Sequence, residues 1–516
     1  MAKLLTPLSI IGPGALGLNT KLAGLELGPD WCVDVRNGAL SNQGTISSRK
    51  GWRPFPDAEQ IAGAPDVVSI IEYIDTSTDG RMIWSAGNKI YESTGNYIDV
   101  TGSVTPEADN WKFVNFNGKV VGVQAEHNPI VKVDSQNFSE ISFDGSIDFP
   151  IEALAAWGRI WYVEGNRQRI RYTDLLQENV VDDASNPGSA GQLNMYTVWA
   201  NGTDEIVALA EFNNYLVVFG RKQVILFKGG EDPNNLLQIV DIINTTGCVA
   251  RDSVQNIGND LIFLGEDGVI SLGRNIQAGG DIRSLPISNL TENVSSFITQ
   301  FALSEQGEAI KSAYKPDEGF YLISFPTSKV VFYLSLRYLT PDNKARIFVW
   351  YDINPTGMAV DREDTLYFGQ PGYLGFYDGY RDNTESYEFT MRTGWTTGIT
   401  QGESDTKVFK QAVLTVRGGY SSFVSFNWSY DFLPTAYDTQ TQASAEQAEP
   451  AEWNIAEYGV GEYSRISLIS QLVYTMSGSG KAVQFGVTAN IDGSQLTVQK
   501  VDLYLKGGNI SRRGRR

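Results

Sequence analysis

The chain is poor in the residues on which catalytic and metal-binding sites are commonly built. Its 516 residues include two cysteines and one histidine. Cys32 and Cys248 match no metal-ligand spacing, and we expect both to be small buried thiols. His127 stands in the turn "AEHNP". We expect it to be exposed, and any histidine-based triad would have to be built on it alone.

Common sequence signatures of enzymes are also missing. The chain contains no G-x-S-x-G, P-loop, H-E-x-x-H or EF-hand spacing. Acid-bearing loops such as "SFDGSID" and "YDINPTG" could supply the paired carboxylates of a glycosidase. With 60 acidic residues in the chain, however, such neighbours arise by chance. We therefore expect no enzymatic activity, no metal ion and no cofactor.

Positive charge and long apolar runs are scarce as well. The 41 basic and 60 acidic residues give a formal net charge of −19. This excess of acid disfavours free binding to nucleic acid or to an anionic membrane, because repulsion lowers the rate of encounter. No apolar run approaches the ~18 residues that a membrane-spanning helix needs. The sequence therefore predicts no membrane span.

The sequence does contain many short runs of β-branched and aromatic residues. Runs such as "YLVVFG", "DLIFLG" and "GFYLISF" are separated by turn pairs such as "DG", "NG" and "GG". The 52 glycines suit tight hairpins, whose turns require positive φ values. Segments with a helical period are few and short. The sequence therefore predicts an all-β fold.

An internal repeat specifies the architecture further. Residues 151–174 align without gaps on residues 206–229, and degenerate copies of the same strand and turn pattern occur before and after them. Short antiparallel strands repeated at such a spacing are typical of β-propeller blades, whereas an array of sandwiches has no reason to repeat in this way. We predict a propeller of six or seven irregular blades over residues 59–400. Equivalent buried positions are expected for Leu154 and Leu209, and for Val163 and Val218.

The two ends of the chain differ from the repeated region. Residues 401–516 are predicted to form a smaller β domain of sandwich type, with a mobile acidic insertion at 439–453 and a basic tail at 506–516. Residues 1–58 have too few contiguous apolar residues to fold alone. We expect them to form an extended strap that packs on the C-terminal domain or on a neighbouring subunit.

These ends also supply candidate subunit contacts. Large aromatic side chains in the strap need a buried environment, and the arginines of the tail are expected to contact acidic groups on an adjoining subunit or tail component. The candidate contact residues are Trp31, Trp52, Arg512, Arg513, Arg515 and Arg516.

A series of loose motifs runs through most of the chain. It begins with "GPGALGLNT", "WCVDVRN" and the pattern G-x-I-x-x-R-x-G-W at residues 44–52. It continues through "IEALAAWGRIWYVEGNRQRIRYTD" and "GCVARDSVQNIGNDLIFLGEDGVISLGR" and ends with "LTVQKVDLYLKGGNISRR". This series resembles the tail nozzle proteins of short-tailed bacteriophages, also called tail tubular proteins B, whose relatives include packaged-DNA stabilisation proteins. The chain departs from that pattern in the insertion at 439–453 and in the arginine tail.

The resemblance implies a ring of six subunits in the tail of a virion, assembled in the host cytoplasm. Each subunit would carry its propeller on the outside, and the genome would leave through a narrow central channel. The implied partners are copies of the chain itself, an upstream tail adaptor protein, and tail fibre, spike or needle components. Genomic DNA would pass without sequence recognition.

Because the ring would carry many negative charges, we expect a channel wall that is mainly acidic or neutral. Retention of the genome would then rest on a steric constriction formed by polar or glycine-rich loops. The candidate channel loops are those containing Gly229, Gly230, Glu231 and Asp232, and those containing Gly279, Gly280 and Asp281.

An alternative function belongs to a different class. The chain could be a carbohydrate-binding or carbohydrate-cleaving propeller of the virion, in which Trp157 and Trp161 would stack on sugar rings. We expect these two tryptophans to belong to the core of a blade instead. A particle of 56.8 kDa would favour the carbohydrate-specific protein, and a large ring would favour the nozzle.

Overall fold

The structure is a computed structural model. It describes residues 6–507 except residues 25, 56–58, 76–79, 94–95, 183–188, 201, 259, 274–287, 398–405, 420–421, 434–437 and 444–468. Strands and turns account for nearly all of the described residues, which include one α-helix, α1 (Ser295–Ser304). The predicted all-β fold class is confirmed.

The strands are short and follow one another closely along the chain. The first half contains β1 (Thr6–Ile11), β2 (Cys32–Arg36), β3 (Gly38–Leu40), β4 (Ile46–Ser48), β5 (Trp52–Pro54), β6 (Val67–Ile74), β7 (Gly80–Ala86), β8 (Lys89–Glu92), β9 (Ile98–Asp99), β10 (Lys112–Phe116), β11 (Lys119–Gln124), β12 (His127–Val133), β13 (Ser139–Glu140), β14 (Glu152–Ala156), β15 (Arg159–Val163), β16 (Arg169–Tyr172), β17 (Gly191–Asn194), β18 (Ile206–Phe212), β19 (Tyr215–Gly220), β20 (Val224–Lys228) and β21 (Gln238–Ile243). The second half contains β22 (Gln255–Asn256), β23 (Leu261–Gly265), β24 (Gly268–Ser271), β25 (Ser288–Asn289), β26 (Lys311–Lys315), β27 (Phe320–Phe325), β28 (Val330–Leu339), β29 (Ala345–Trp350), β30 (Met358–Val360), β31 (Leu366–Gln370), β32 (Tyr373–Tyr377), β33 (Tyr387–Thr393), β34 (Lys407–Gly418), β35 (Phe423–Tyr430), β36 (Asp438–Ala443), β37 (Ile469–Thr475), β38 (Ser479–Gly480), β39 (Val483–Ile491) and β40 (Leu496–Gly507).

The chain divides into two compact units, and each consists of separate pieces of sequence. The propeller-like unit comprises Pro54–Val331 and Asn354–Tyr377. The sandwich unit comprises Met1–Arg53, Phe332–Ile353 and Asp378–Arg516. These limits differ from the predicted boundaries, because residues 332–353 and 378–400 belong to the sandwich unit.

In the propeller-like unit, each strand pairs with the next one along the chain. Five complete four-stranded sheets have the orders β6-β7-β8-β9, β10-β11-β12-β13, β14-β15-β16-β17, β18-β19-β20-β21 and β22-β23-β24-β25. Further antiparallel pairs join β26 to β27, β30 to β31 and β31 to β32. The described residues of this unit therefore include five complete sheets and the first strands of two more. This number agrees with the predicted six or seven blades.

The first strands of these sheets form a cyclic series of neighbours. Strand β6 contacts β10, β10 contacts β14, and β14 contacts β18. Strand β22 contacts β26, β26 contacts β30, and β30 contacts β6. Between β18 and β22, the short helical turn Arg251–Ser253 contacts β18 and β26, and one apolar cluster joins the two sheets. The first strands therefore surround a common axis, as expected for propeller blades.

Two-residue turns connect the first two strands in several sheets. The turns Asn117–Gly118, Trp157–Gly158 and Asn213–Asn214 have φ values between 49° and 70° at both residues. Such values are characteristic of type I′ hairpins, which asparagine and glycine adopt at little cost. Trp157 is the exception. Its indole Nε1 donates to Asn214 Oδ1 at 2.9 Å, and its ring lies 5.9 Å from that of Trp161.

Apolar clusters between adjacent sheets hold the unit together. The third and fourth sheets share a cluster in which Trp161 and Val163 meet Leu209 and Val218. Leu154 and Leu209 lie on the first strands of their sheets, and Val163 and Val218 lie on the second strands. Both pairs lie on the predicted strands, but their exact equivalence is wrong. Leu154 and Val163 face the fourth sheet, whereas Leu209 and Val218 face the third. The reason is that the turns Trp157–Gly158 and Asn213–Asn214 lie one residue further apart than the alignment assumes. Leu154 is also only half-buried.

The sandwich unit is built from both ends of the chain. In its first sheet β40 pairs with β1, β4 and β34, and the second sheet has the order β2-β33-β39-β35-β36. The two sheets meet where the ring of Phe426 stacks on that of Tyr474 at 5.2 Å. The hydroxyl of Tyr474 also donates to the carbonyl of Val424 at 2.9 Å. The N-terminal segment therefore supplies strands to both sheets.

The predicted mobile insertion at 439–453 needs a correction. Residues 438–443 form strand β36, which pairs with β35 over its whole length. The backbone of this edge strand pairs with β35, but its side chains are mostly polar and include no apolar run. For that reason its composition resembled that of a loop. Residues 444–453 lie outside the described part of the chain.

The glycine-rich opening of the chain is tightly packed. Gly17 has a φ of 86°, and a Cβ there would lie 2.6 Å from the carbonyl oxygen of Ile347. The amide of Leu18 donates to the same oxygen at 2.8 Å, and the amide of Gly14 donates to the carbonyl of Pro29 at 2.9 Å. Glycine is required here because the backbones approach closely and φ is positive.

The G-x-I-x-x-R-x-G-W pattern encloses a fully buried arginine. Arg49 donates through Nη1 and Nη2 to the two carboxylate oxygens of Asp382 at 2.7 and 2.6 Å. Its Nε donates to Asn37 Oδ1 at 3.0 Å, and its guanidinium lies 4.0 Å from the centre of the Tyr387 ring. At Gly51, any Cβ would overlap the backbone of Arg381. The pattern therefore encodes a packed ion pair and a close approach between two chain segments.

Candidate functional site

Charged side chains from several sheets meet at the axis of the propeller-like unit. Lys112, Glu152 and Lys311 lie on the first strands β10, β14 and β26, and Arg251 and Asp252 lie in the helical turn before β22. We call these five residues the axial cluster. Because first strands face the axis, charges that are far apart in sequence come within ion-pair distance.

Local packing brings the helical turn to the axis. Gly247 approaches the backbone at Arg221 so closely that a Cβ would overlap it. Six residues later, the hydroxyl of Ser253 donates to the carbonyl of Ala250 at 2.6 Å and closes the turn. The two charged residues of the turn therefore have little freedom in position.

Asp252 is the most extensively paired member of the axial cluster. Lys311 Nζ lies 2.7 Å from its Oδ2, and Arg251 donates to both carboxylate oxygens at 3.1 Å. Lys112 Nζ lies 3.6 Å from Oδ1. Burial by itself would raise the pKa of Asp252, but these three cations outweigh it and hold the pKa well below its usual range. Asp252 therefore remains charged over the physiological range.

Glu152 has a different environment. Its carboxylate oxygens lie 3.7 Å from Lys112 Nζ and 3.6 Å from Arg251 Nε. Among the described residues, neither oxygen has a hydrogen-bond partner, and the side chain is 1% exposed. Burial raises the pKa of Glu152 to about 7, against the opposing charges of Lys112 and Arg251. Glu152 is therefore expected to change its protonation state near neutral pH.

The axial cluster leaves little open space at the axis. A cavity of about 140 Å³ adjoins it, lined by polar groups that include Ser69, Gln255 and Ser312. A water molecule occupies ~30 Å³ in the liquid, so this cavity can hold only a few. Duplex DNA, whose major groove alone is ~12 Å wide, does not fit such a space. The arrangement is a buried charge network that ties several sheets together and contains one group, Glu152, whose pKa lies near neutral.

The two tryptophans proposed as candidate subunit contacts are half-buried in the sandwich unit. The carbonyl of Trp31 accepts from the amide of Gly394 at 3.0 Å. The amide of Trp52 donates to the carbonyl of Arg381 at 3.0 Å, and its carbonyl accepts from Asn383 at 2.6 Å. Their role between subunits stays a prediction.

The loop containing Gly229, Gly230, Glu231 and Asp232 connects the third and fourth strands of its sheet. It therefore lies on the outer side of that sheet, away from the axial cluster. Gly230 packs on the ring of Trp157. The hydroxyl of Tyr172 donates at 2.7 Å to Asn234, a few residues further along the loop. The role of this loop in a channel stays a prediction.

The other candidate residues lie outside the described part of the chain. They are Gly279, Gly280 and Asp281 of the second candidate loop, and Arg512, Arg513, Arg515 and Arg516 of the tail.

The predicted burial of the two cysteines is confirmed, whereas the predicted exposure of the histidine is wrong. Cys32 and Cys248 are free, buried thiols, as predicted. The expected exposure of His127 is wrong, because it is 6% exposed on β12. Its ring packs against Trp111 with centroids 5.3 Å apart, and Nδ1 lies 2.6 Å from the carbonyl oxygen of Asn128. Pairing of β12 with β11 begins at His127, immediately after the turn, which is why the turn pattern misled the prediction.

The tryptophans of the carbohydrate hypothesis lie in the core between the third and fourth sheets. Trp161 is fully buried, and Trp157 packs against that cluster. Trp161 is therefore inaccessible to a sugar ring in this structure.

The axial cluster was missed in the sequence, although the repeat contains one signal of it. In the alignment of residues 151–174 with 206–229, Glu152 corresponds to Val207. A charged residue at a position where the other copy is apolar is unexpected in a blade core. The sequence does not reveal which cations would meet Glu152, because their partners lie on other sheets.

The described residues contain no group of three or more His, Cys, Asp or Glu side chains placed to hold a metal ion. Within the same residues, no helix has the length and apolar character required to cross a membrane.

No family model and no curated protein matches this chain. Among solved structures, it is similar to the computationally designed Ika8 protein, with 13% identity, a TM-score of 0.35 and coverage of 62% of this chain and 98% of that one. It is also similar to the extracellular domain of a hybrid two-component system from B. thetaiotaomicron, with 10% identity, a TM-score of 0.42 and coverage of 80% of this chain and 57% of that one. A functionally unknown protein from Desulfotomaculum acetoxidans gives 12% identity, a TM-score of 0.34 and coverage of 55% and 89%. At these low scores, the similarities support no inference about function.

Proposed function

We propose that this chain is the subunit of a tail nozzle of a short-tailed bacteriophage. In this proposal, copies of the chain form a ring, six in number by resemblance to the nozzle family. The ring retains the packaged genome and conducts DNA during ejection. The chain acts as a structural component, and its partners are the neighbouring tail proteins and the passing DNA.

The proposal rests chiefly on the packing of the motif residues that resemble those of the nozzle family. Gly17, Arg49 and Gly51 of the opening motifs each occupy a position that demands that residue type. Gly247, which opens the motif "GCVARDSVQNIGNDLIFLGEDGVISLGR", lies against the backbone at Arg221 and leads directly into the axial cluster. The motif residues on which the resemblance rests therefore have definite packing roles in this chain.

The axis of the propeller-like unit supports the same proposal. Charged side chains and a cavity of about 140 Å³ occupy that axis. A conduit for duplex DNA must therefore lie outside this unit, and a ring of several copies can provide one. This arrangement agrees with the nozzle family, whose propellers are expected on the outside of the ring.

The mass of the purified full-length chain tests the proposal. A hexamer of 56.8 kDa subunits has a mass of about 341 kDa. We expect light scattering after size exclusion to give a mass of that order. Removal of residues 512–516 is expected to weaken assembly in a salt-dependent manner, because their guanidinium groups would pair with acidic groups on a neighbour. A full-length chain that stays monomeric at every concentration would contradict the proposed ring.

Duplex DNA is expected to bind weakly to the assembled protein. Six copies with a net charge of −19 each carry −114 formal charges, which repel the phosphate backbone. We expect fluorescence anisotropy at about 0.15 M salt to show no duplex binding below about 10 µM protein. The variant lacking residues 512–516 is the control, since it removes the one strongly basic segment. Salt-sensitive binding of both proteins at sub-micromolar concentration would overturn a channel through which DNA slides.

A further inference from the structure

A second cavity lies beside the axial cluster, at one end of the propeller-like unit. Its volume is about 380 Å³. Its walls come from residues just before β14 and β26 and from the turns that follow β15 and β19. All of these segments lie at the same end of their sheets, so the cavity forms the mouth of the axis at that end. We call it the arginine recess.

The charge of the arginine recess contrasts with the charge of the whole chain. Arg167, Arg221 and Arg251 line it, and Glu308 is the single acidic residue of the lining. These residues have a formal charge of +2, in a chain with a net charge of −19. The side chains of Arg221 and Glu308 are 56% and 57% exposed, so the recess is open to solvent at its rim. Glu205 and Asp252 lie just outside the lining and pair with Arg221 and Arg251, so they offset part of this charge. An anionic ligand is therefore favoured mainly by the hydrogen bonds that guanidinium groups can donate to it.

Two of the arginines retain hydrogen-bonding capacity. Arg167 donates through Nη2 to Glu308 at 3.0 Å, and Arg221 donates through Nε to Glu205 at 3.2 Å. In the described part of the chain, the remaining guanidinium N–H groups of these two residues make no hydrogen bond. A guanidinium has five N–H donors, and its geometry suits a carboxylate. Both side chains can therefore donate to an anion without giving up their present ion pairs.

Arg251 differs from the other two arginines because Nε, Nη1 and Nη2 all donate hydrogen bonds within the protein, so its contribution to ligand binding is mainly its charge. Its Nη1 donates to the carbonyl of Ile151 at 2.9 Å, and its Nη2 donates to Asn110 at 3.2 Å and to Asp252 at 3.1 Å. Its position in the recess is thus fixed by the axial cluster. Asp252 and Glu152 offset part of its charge, and the remainder attracts an anion without the entropic cost of ordering a flexible side chain.

The rest of the lining includes an apolar wall. Ile151, Val207 and Val249 contribute to it. A free inorganic ion makes no use of such a wall, whereas a ligand with a carbon body buries apolar surface against it. The volume lies at the lower end of the range of small-molecule sites, which suits a molecule of monosaccharide size.

We propose that the arginine recess binds a small organic anion, namely a carboxylate carried on a carbon body of about the size of a sugar. The carboxylate oxygens accept hydrogen bonds from Arg167 and Arg221 near the rim. The carbon body lies against Ile151, Val207 and Val249. This site is independent of the proposed nozzle function, because its walls all come from one propeller-like unit.

Calorimetric titration of the full chain with glucuronate tests the site. We expect binding with a Kd on the order of 1 mM or tighter, which weakens as salt is added. Glucose, which lacks the carboxylate, is expected to bind at least about tenfold more weakly. Inorganic phosphate should also bind more weakly than glucuronate, because it makes no contact with the apolar wall.

Two variants locate the binding. Arg221→Gln is expected to weaken glucuronate binding at least about tenfold, since it removes a charge and its donors from the rim. Arg417→Gln is the matched control, because Arg417 is exposed on β34 in the sandwich unit, and its affinity should equal that of the unaltered chain. Unchanged circular dichroism of both variants shows that they are folded.

Three results would overturn the proposal. The first is the absence of glucuronate binding up to about 10 mM. The second is equal affinity of Arg221→Gln and Arg417→Gln, which would place the anion elsewhere. The third is equal affinity for glucuronate and phosphate, which would show that the carbon body is not recognised. None of these results depends on whether the chain assembles into a ring.

Discussion

Replacement of Arg49 by methionine is expected to lower the free energy of unfolding by about 3 to 5 kcal/mol. The side chain of Arg49 is fully buried and forms a two-pronged ion pair with Asp382, whose side chain is 12% exposed. Methionine fills much of the volume but leaves the carboxylate of Asp382 buried without its cation. It also removes the donor to Asn37 and the contact with the Tyr387 ring.

Urea unfolding followed by tryptophan fluorescence measures this effect. Arg53→Met is the matched control, because Arg53 forms a 2.9 Å ion pair with Asp378 in which the two side chains are 58% and 47% exposed. Exposed pairs contribute little, so this change should cost less than about 1 kcal/mol. Equal effects of the two substitutions would contradict the role assigned to Arg49.

The double variant Arg49→Met, Asp382→Leu separates two causes of the loss. If the unpaired carboxylate is the main cost, removing it should recover much of the stability lost in Arg49→Met. If the double variant is less stable than Arg49→Met, the packing around Asp382 matters more than its charge. The measured interaction energy distinguishes these outcomes.

Replacement of Glu152 by glutamine is expected to stabilise the protein above neutral pH. The pKa of Glu152 is raised from 4.5 to about 7, chiefly by burial. Below the lower value, the carboxyl is protonated in both the folded and the unfolded chain. Between the two values, the unfolded chain loses the proton while the folded chain keeps it, so stability falls as pH rises. Above the upper value, the full cost of the buried charge is present.

The size and pH dependence of this effect can be measured together. The difference between a pKa of 4.5 in the unfolded chain and one of about 7 in the folded chain corresponds to roughly 3 kcal/mol. We therefore expect the free energy of unfolding of Glu152→Gln to exceed that of the unaltered chain by up to about 3 kcal/mol at about pH 8. The difference should disappear near about pH 4. Urea unfolding at a series of pH values provides the comparison.

The control for this prediction is Glu266→Gln, because Glu266 is exposed in the turn between β23 and β24. Its loss should change stability by less than about 0.5 kcal/mol. A Glu152→Gln variant that is less stable than the unaltered chain at about pH 8 would show that the carboxylate is stabilising in its ionised form. That result would also assign a lower pKa to Glu152 than burial implies.

The limits of sequence-based inference follow from where each signal is located. Strands and hairpin turns were predictable because their signals lie within a few residues, as in the Asn117–Gly118 turn. The placement of Val163 and Val218 on second strands was predictable because blades repeat the same local pattern. Their facing directions were not, because one extra residue before the second turn reverses the face on which a side chain lies. The exposure of His127 was predicted wrongly, since a turn pattern does not show where the neighbouring strand begins to pair. The boundaries of the units were also missed, because strand β28 continues across one of them without any change in composition.

The sequence by itself determined the all-β class, the repeated meander and the special glycines of the opening motifs, because each depends on local backbone geometry. Only the tertiary structure decided which distant segments pair. Thr6 lies opposite Leu505 in the sandwich unit, and no local pattern encodes such a partner. The axial cluster and the arginine recess are likewise products of tertiary structure. Their charges come from segments separated by tens to hundreds of residues, and they act together because the sheets place them around one axis.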